Sequence, residues 1–256
     1  MDKYKEIANE ARLKVLDLIY KAQTSHIGSN FSCIDIMAVV FEKIDLDKDK
    51  FVLSKGWVAA ALYYFLNKKD RITDEQLDSY CMEGSEWIGL AEPIHPDIPF
   101  AGGSMGMGMP SAVGYALSKK LKKEPGIVYC LMSDGEIQIG TFWESLLLAA
   151  QHKLDNLVVL VDSNNLQAMG ETKDILDISN VPPAVDKLGW DVDHINGHDY
   201  DEIETYISND LRKPKIIFCD TVKGKGVSFM ENVNMWHYKA PNEDEYNKAK
   251  AELCQK

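Results

Sequence analysis

The strongest constraint in this sequence is a pair of uninterrupted apolar runs, residues 127–132 and 157–161, separated by a helix-patterned stretch at 140–154. A strand that is apolar on both faces must be covered on both faces, and parallel neighbours need a crossover of this kind between them. The alternation continues downstream, with a helix expected at 182–188, a short strand at 191–195, a helix at 200–211 and a strand at 215–222. Upstream, Ile7, Ala11, Val15, Leu18 and Ala22 share one helix face. A second helix is expected from about Ser32, with Ile34, Met37, Phe41 and Ile44 inward and Asp35 in its first turn. Residues 51–53 read as a strand, 58–66 as a buried helix, and Thr73 to Gln76 has capping-box spacing. The expected fold class is α/β: a parallel sheet with helices on both faces. No repeat, low-complexity tract or linker interrupts residues 1–256, which read as a single domain.

Residues 84–110 break the pattern. They are rich in Gly, Pro and Met, have no clear period and carry few charges. Irregular segments of that length are usually functional or disordered, and the scarcity of charge argues for function.

Charge limits the ligands. Lys and Arg total 28 against 40 Asp and Glu, a net charge of −12. That balance argues against nucleic acid as a partner, so an anionic ligand would have to be gripped locally by backbone, metal or a few placed cations. The longest apolar run, residues 57–66, is too short to span a bilayer. The N-terminal stretch is charged throughout, and the five cysteines are scattered without a CxxC pair. These features predict a cytoplasmic protein with no membrane partner.

The two apolar runs end in polar residues of a particular kind. The first closes in Ser133-Asp134-Gly135 and the second in Asp162-Ser163-Asn164-Asn165. In a parallel sheet both ends fall on the carboxyl edge, where open α/β proteins bind ligands. A carboxylate and an amide oxygen form a hard donor pair suited to Mg²⁺ or Ca²⁺. Gly135 would let a diphosphate approach the backbone, and the helix expected near Gly140 would offer its positive end. Either residue alone would read as an ordinary turn residue; their pairing favours a site.

These residues resemble the N-terminal, diphosphate-binding half of the transketolase family. Its thiamine-diphosphate signature, GDG followed downstream by Asn, stands here as Ser133-Asp134-Gly135 with Asn164. Thr24-Ser25-His26-Ile27-Gly28, the FVLSKG of residues 51–56, His95-Pro96-Asp97 and Gly103-Ser104-Met105-Gly106-Met107-Gly108 are similar to further family motifs. So are Phe142-Trp143-Glu144, Lys153-Leu154-Asp155-Asn156-Leu157, the TVKGKG of residues 221–226 and Trp236-His237-Tyr238-Lys239-Ala240-Pro241. All stand in the family's order.

The resemblance implies thiamine diphosphate and Mg²⁺ (or Ca²⁺) as cofactors. Asp134, Asn164 and the Leu166 carbonyl would ligate the metal. Lys55, Gly135, Glu136, Asn164, Lys223 and His237 would lie about the diphosphate, with Gly103 and Met105 against the aminopyrimidine. His26, His95 and His237 are the candidate catalytic groups, His26 and His95 lining a substrate funnel and moving protons on a ketose donor. His194 and His198 are expected to be structural and His152 to be exposed on a helix. The implied function is transfer of a two-carbon ketol unit between sugars or sugar phosphates.

Three departures from the family stand out. Trp57 occupies the place of a His, Ile139 that of a Glu, and Ile27 and Ser133 replace a Pro and a Gly. At 256 residues, the family's pyrimidine-binding and C-terminal domains are expected to lie on another chain. A split enzyme is expected, its partner being a C-terminal transketolase subunit in an α2β2 heterotetramer. The competing expectations are a related synthase or decarboxylase subunit, and a catalytically inert cofactor-binding or assembly subunit.

Overall fold

The computed structural model describes residues 2–208 and 211–255. Helices α1 (Asp2–Ala22) and α2 (Ile27–Lys43) lead to strand β1 (Lys50–Leu53), then α3 (Ala59–Lys68) and α4 (Asp74–Asp78). After a long irregular segment come α5 (Gly108–Lys122), β2 (Val128–Ser133), α6 (Gly140–Gln151) and β3 (Leu157–Ser163). A two-residue ribbon, β4 (Leu166–Gln167) with β5 (Gly170–Glu171), precedes α7 (Thr172–Ile175), α8 (Val181–Lys187) and β6 (Asp191–Asn196). The chain continues through α9 (Tyr200–Ser208), β7 (Lys215–Asp220) and α10 (Glu243–Leu253). Positions 209 and 210 of the expected helix 200–211 lie outside the described residues.

The main sheet is parallel throughout, in the order β1-β2-β3-β7-β6. The fully apolar strands explain why both faces are covered. Tyr129, Leu131, Val158, Leu160 and Ile217 turn into a core shared with α1, α2 and α3. Val128, Cys130, Met132, Val159, Val161 and Ile216 turn the other way, into a core with α5 and α6. Each such buried aliphatic side chain contributes roughly 1.5–3 kcal/mol. The expected α/β class, with helices on both faces, is the one observed. No helix among the described residues is long and apolar enough to cross a membrane.

Several element boundaries differ from expectation, and two of them bear on the site. Helix α2 starts at Ile27, not near Ser32. Gly28, Ser29 and Asn30 resemble turn residues, yet they are buried, and Asn30 is satisfied by donating to the His26 carbonyl and accepting from the Ala61 amide. Asp35 therefore sits in mid-helix, buried against Arg12, rather than in a first turn. The irregular segment ends at Gly108, where α5 begins.

Glycines dock that segment onto the end of β1. A Cβ on Gly56 would collide with the Gly102 backbone, and one on Gly108 would collide with Ser54. The Ala91 amide donates to the Gly56 carbonyl and the Gly102 amide to the Ala91 carbonyl. Close backbone approach of this kind excludes any side chain.

Candidate active site

The carboxyl ends of β1, β2 and β3 open onto a cavity of about 540 Å³. Register brings the key ends together: Ser133 pairs with Asp162, and Ser163 with Asp220. Asp134 follows β2 and Asn164 follows β3. Both are buried, and both line the cavity.

Asp134 Oδ1 accepts from the Gly135 amide at 2.7 Å. Its Oδ2 accepts from the Asn165 amide at 2.8 Å and from the Thr172 hydroxyl at 3.1 Å. Burial, with the neighbouring Asp162 charge, nevertheless raises its pKa above the ordinary carboxylate value. A carboxylate so placed gains from a cation beside it. Asn164 Oδ1 accepts from the Leu166 amide at 3.0 Å. Asp134 Oδ1 and Asn164 Oδ1 each take a single protein donor and so keep a lone pair.

The Leu166 carbonyl accepts from the Lys223 ammonium at 3.0 Å, so a positive group already rests on this rim. Among the described residues no three His, Cys, Asp or Glu side chains converge as a metal cluster. A cation here would be held by few protein oxygens, which is the coordination Mg²⁺ accepts when phosphate and water complete its octahedron. The donor set of Asp134, Asn164 and Leu166 therefore fits a hard divalent ion.

The cationic side of the cavity is built on Asp162, whose part in the site is not apparent from sequence alone. Wholly buried, it pairs with the Lys55 ammonium and accepts from the Thr221 hydroxyl, from Ser32 at 2.5 Å and from Asn164 Nδ2 at 3.3 Å. This carboxylate raises the Lys55 pKa against its burial, and Lys55 in turn lowers that of Asp162. The signal was present in the sequence as the one charged side chain in an otherwise apolar strand. Lys223 is fully buried, and desolvation, reinforced by the Lys55 charge, lowers its pKa to about 8.

The histidines divide. His26 caps α2 in a left-handed conformation (φ 70°, ψ 20°), and its amide donates to the His237 carbonyl at 2.9 Å. Its ring stacks on Trp57 with centroids 5.2 Å apart and meets the His237 ring edge-on at 4.9 Å. Trp57 thus walls the cavity and packs on His26. Burial, with Lys223 and Lys55 adding repulsion, lowers His26 to about 4. Burial, with Lys223, His26 and Lys55, lowers His237 to about 3. Both rings are therefore neutral near pH 7. His237 Nδ1 accepts from Lys223 at 2.8 Å, which leaves Nε2 carrying the proton.

His95 does not join them. It lies in a separate depression with Pro93, Pro96 and Tyr115, its Nδ1 accepting from the Asp97 amide at 3.2 Å. His26 lines the cavity and His95 the neighbouring depression, which the irregular segment forms with the start of β1 and α5. Gly103 is likewise exposed on the docked segment, and Gly102 and Met105 line the cavity there.

Gly135 and Glu136 line the cavity, but the Glu136 carboxylate is taken up by the protein. It accepts from the Ser54 hydroxyl, from the Ser133 amide at 2.7 Å and hydroxyl at 3.1 Å, and from the Gly106 amide at 3.0 Å. Glu136 thereby ties the ends of β1 and β2 to the docked segment. Ile139 packs against Gly106 from the other side. His194 stacks on Phe218, and His152 is exposed at the end of α6.

Fold and rim together define a parallel α/β domain whose carboxyl edge offers hard oxygen donors beside two ammonium groups. The sequence matches the family described as transketolase, thiamine diphosphate binding domain, over residues 3–256, and the chain belongs to that family. It is 33% identical to one subunit of the apulose-4-phosphate transketolase of Phocaeicola vulgatus, with 96% of this chain and 92% of that one aligned. It is also 33% identical to a 6-deoxy-6-sulfo-D-fructose transketolase subunit of Clostridium sp. (strain MSTE9), covering 96% of this chain and 94% of that one. The crystal structure of transketolase from Campylobacter jejuni superposes with a TM-score of 0.89 at 29% identity. It covers 99% of this chain, which spans only 43% of that enzyme's chain.

Proposed function

We propose that this chain is the diphosphate-binding subunit of a two-chain, transketolase-like transferase that moves a two-carbon ketol unit between sugars or sugar phosphates. Thiamine diphosphate is the cofactor and Mg²⁺ (or Ca²⁺) its metal. Bound here, the cofactor would supply the electron sink that carries the two-carbon unit between donor and acceptor. Residues 1–256 act as one domain in the cytoplasm. A C-terminal transketolase subunit supplies the pyrimidine-binding and C-terminal domains, two copies of each chain forming the assembly.

The observation that carries this reading is the shared rim, where Asp134 and Asn164 meet in one cavity beside Lys223 and Gly135. The near full-length relatives named as subunits support a partner. In this reading Asp134, Asn164 and the Leu166 carbonyl hold the metal, while Lys55, Lys223 and His237 face the diphosphate. Gly102 and Met105 border the pyrimidine side, Gly103 adjoining them. His26 and His237, both neutral, act as hydrogen-bond donors to substrate oxygens.

The test is two-carbon transfer from a ketose donor to an aldehyde acceptor by the chain co-purified with its partner. Activity requiring both added thiamine diphosphate and Mg²⁺ is expected. An intact assembly that binds the cofactor but transfers nothing would favour the inert-subunit reading instead.

A further inference from the structure

The TVKGKG turn that carries Lys223 is held by a closed circuit of hydrogen bonds outside the cavity. Its centre is Asp35, buried on α2. Arg12 of α1 donates to both Asp35 oxygens, at 2.9 and 2.7 Å, and its Nε donates to the Lys225 carbonyl at 2.9 Å. His198, between β6 and α9, lies with Nδ1 2.6 Å from Asp35 Oδ2, and its Nε2 accepts from the Val222 amide at 2.8 Å. The two arms of the circuit thus grip Val222 N–H and Lys225 C=O, the groups that bracket Lys223 and Gly224. Tyr200 adds a hydroxyl on Asp35 Oδ1 at 2.9 Å.

Only one form of His198 satisfies this circuit. Asp35 faces an arginine, stays ionised and can only accept, so Nδ1 must carry a proton. Val222 N–H can only donate, so Nε2 must be bare. The opposite tautomer would set lone pair against carboxylate and N–H against N–H. The doubly protonated ring would keep the second clash.

We propose that His198 is a positioning residue: held as the Nδ1–H tautomer by Asp35, it fixes the Val222 amide and so aims the Lys223 ammonium at the rim where the diphosphate binds. The proposal rests on the reading of Lys223 as a diphosphate contact. It assigns His198 a specific hydrogen-bonding task, and it predicts opposite behaviour from two amide substitutions. A glutamine at 198 places its oxygen where Nε2 stands and keeps the Val222 bond. An asparagine reaches only the Nδ1 position, keeps the Asp35 bond and leaves the Val222 amide unpaired.

Two measurements on the full chain test it. In the protein labelled with ¹⁵N-histidine, the signal lost in His198→Gln or in His198→Asn, whichever folds, should report a protonated Nδ1 and a bare Nε2; the reverse tautomer would overturn the proposal whatever either variant binds. In titrations of the chain co-purified with its partner, by thiamine diphosphate at saturating Mg²⁺, His198→Asn should bind about tenfold more weakly than wild type and His198→Gln within about threefold, as expected for leaving one part-buried donor unmatched. Equal weakening of both variants, or no weakening in His198→Asn, would overturn the relay. A wild-type assembly that binds no thiamine diphosphate would instead count against the proposed function, and the tautomer measurement would still decide the circuit.

Discussion

Asp162 and Asn164 lie two residues apart at the end of β3, and the Asn164 amide nitrogen donates to Asp162 Oδ2 at 3.3 Å. That contact fixes which end of the amide is which. With Nδ2 engaged by Asp162, the Asn164 oxygen is the end left for a cation. The same Asp162 oxygen also holds the buried Lys55 ammonium, so one carboxylate orients a candidate metal ligand and balances a candidate diphosphate contact.

Replacing Asp162 with Asn should therefore be costly beyond the loss of one contact. Lys55 would remain buried without a counter-charge, and removing one partner of a buried pair costs about 3–5 kcal/mol. Denaturant unfolding of Asp162→Asn should show a loss of that order. A change below about 1 kcal/mol would mean that Lys55 escapes to solvent and that the node is not rigid.

Lys223 should show the opposite balance of stability and binding. Its pKa is lowered to about 8 by burial and by Lys55, so the folded chain carries a disfavoured charge at pH 7. Lys223→Met is expected to leave stability unchanged or raise it by about 1–2 kcal/mol, while thiamine diphosphate affinity falls at least about tenfold. Thermal unfolding and calorimetric titration check the two halves. A variant that is destabilised yet binds normally would remove Lys223 from the site.

The histidine pair sets a pH dependence. An unfolded histidine takes its proton near 6.5, whereas folded His26 resists until about 4 and His237 until about 3. Between these values the unfolded chain binds more protons, so stability rises with pH and is lost as pH falls from 6.5 towards 4. The His26 contribution is about 1–2 kcal/mol once partial exposure is allowed for. Denaturant curves across that window should be flatter for His26→Asn than for wild type; parallel curves would contradict the burial of that ring.

Two glycine substitutions should diverge. Gly56→Ala would press a methyl group into the Gly102 backbone and is expected to cost about 1–3 kcal/mol, detaching the segment that lines one wall of the cavity. Gly114→Ala, in α5 with nothing within 4 Å of the new carbon, should stabilise by about 0.4–1 kcal/mol. Equal effects would mean that the docked segment does not need its close contact.

The sheet and half of the rim were legible in the sequence because their signals are local. Runs such as 157–161, short and rich in β-branched residues, read as doubly covered strands, and the polar ends of two neighbouring parallel strands must share an edge. The start of α2 was not legible, since Gly28, Ser29 and Asn30 have turn chemistry and are made helical by burial under Trp236 and Lys223. The surroundings of His95 were not legible for a related reason: order along the chain does not fix where an irregular segment folds. Asp162 and His198 were visible as residues but not as nodes. Their roles come from groups 59 and 24 positions away in the Thr221–Val222 turn, and from α2.

The most direct test is calorimetric titration of the chain, with its partner present, by thiamine diphosphate plus Mg²⁺. Saturable binding that requires the metal and is lost in both Asp134→Ala and Asn164→Ala is the expected result. Full binding by either variant, or none by the wild-type assembly, would contradict a metal-bridged diphosphate held between β2 and β3.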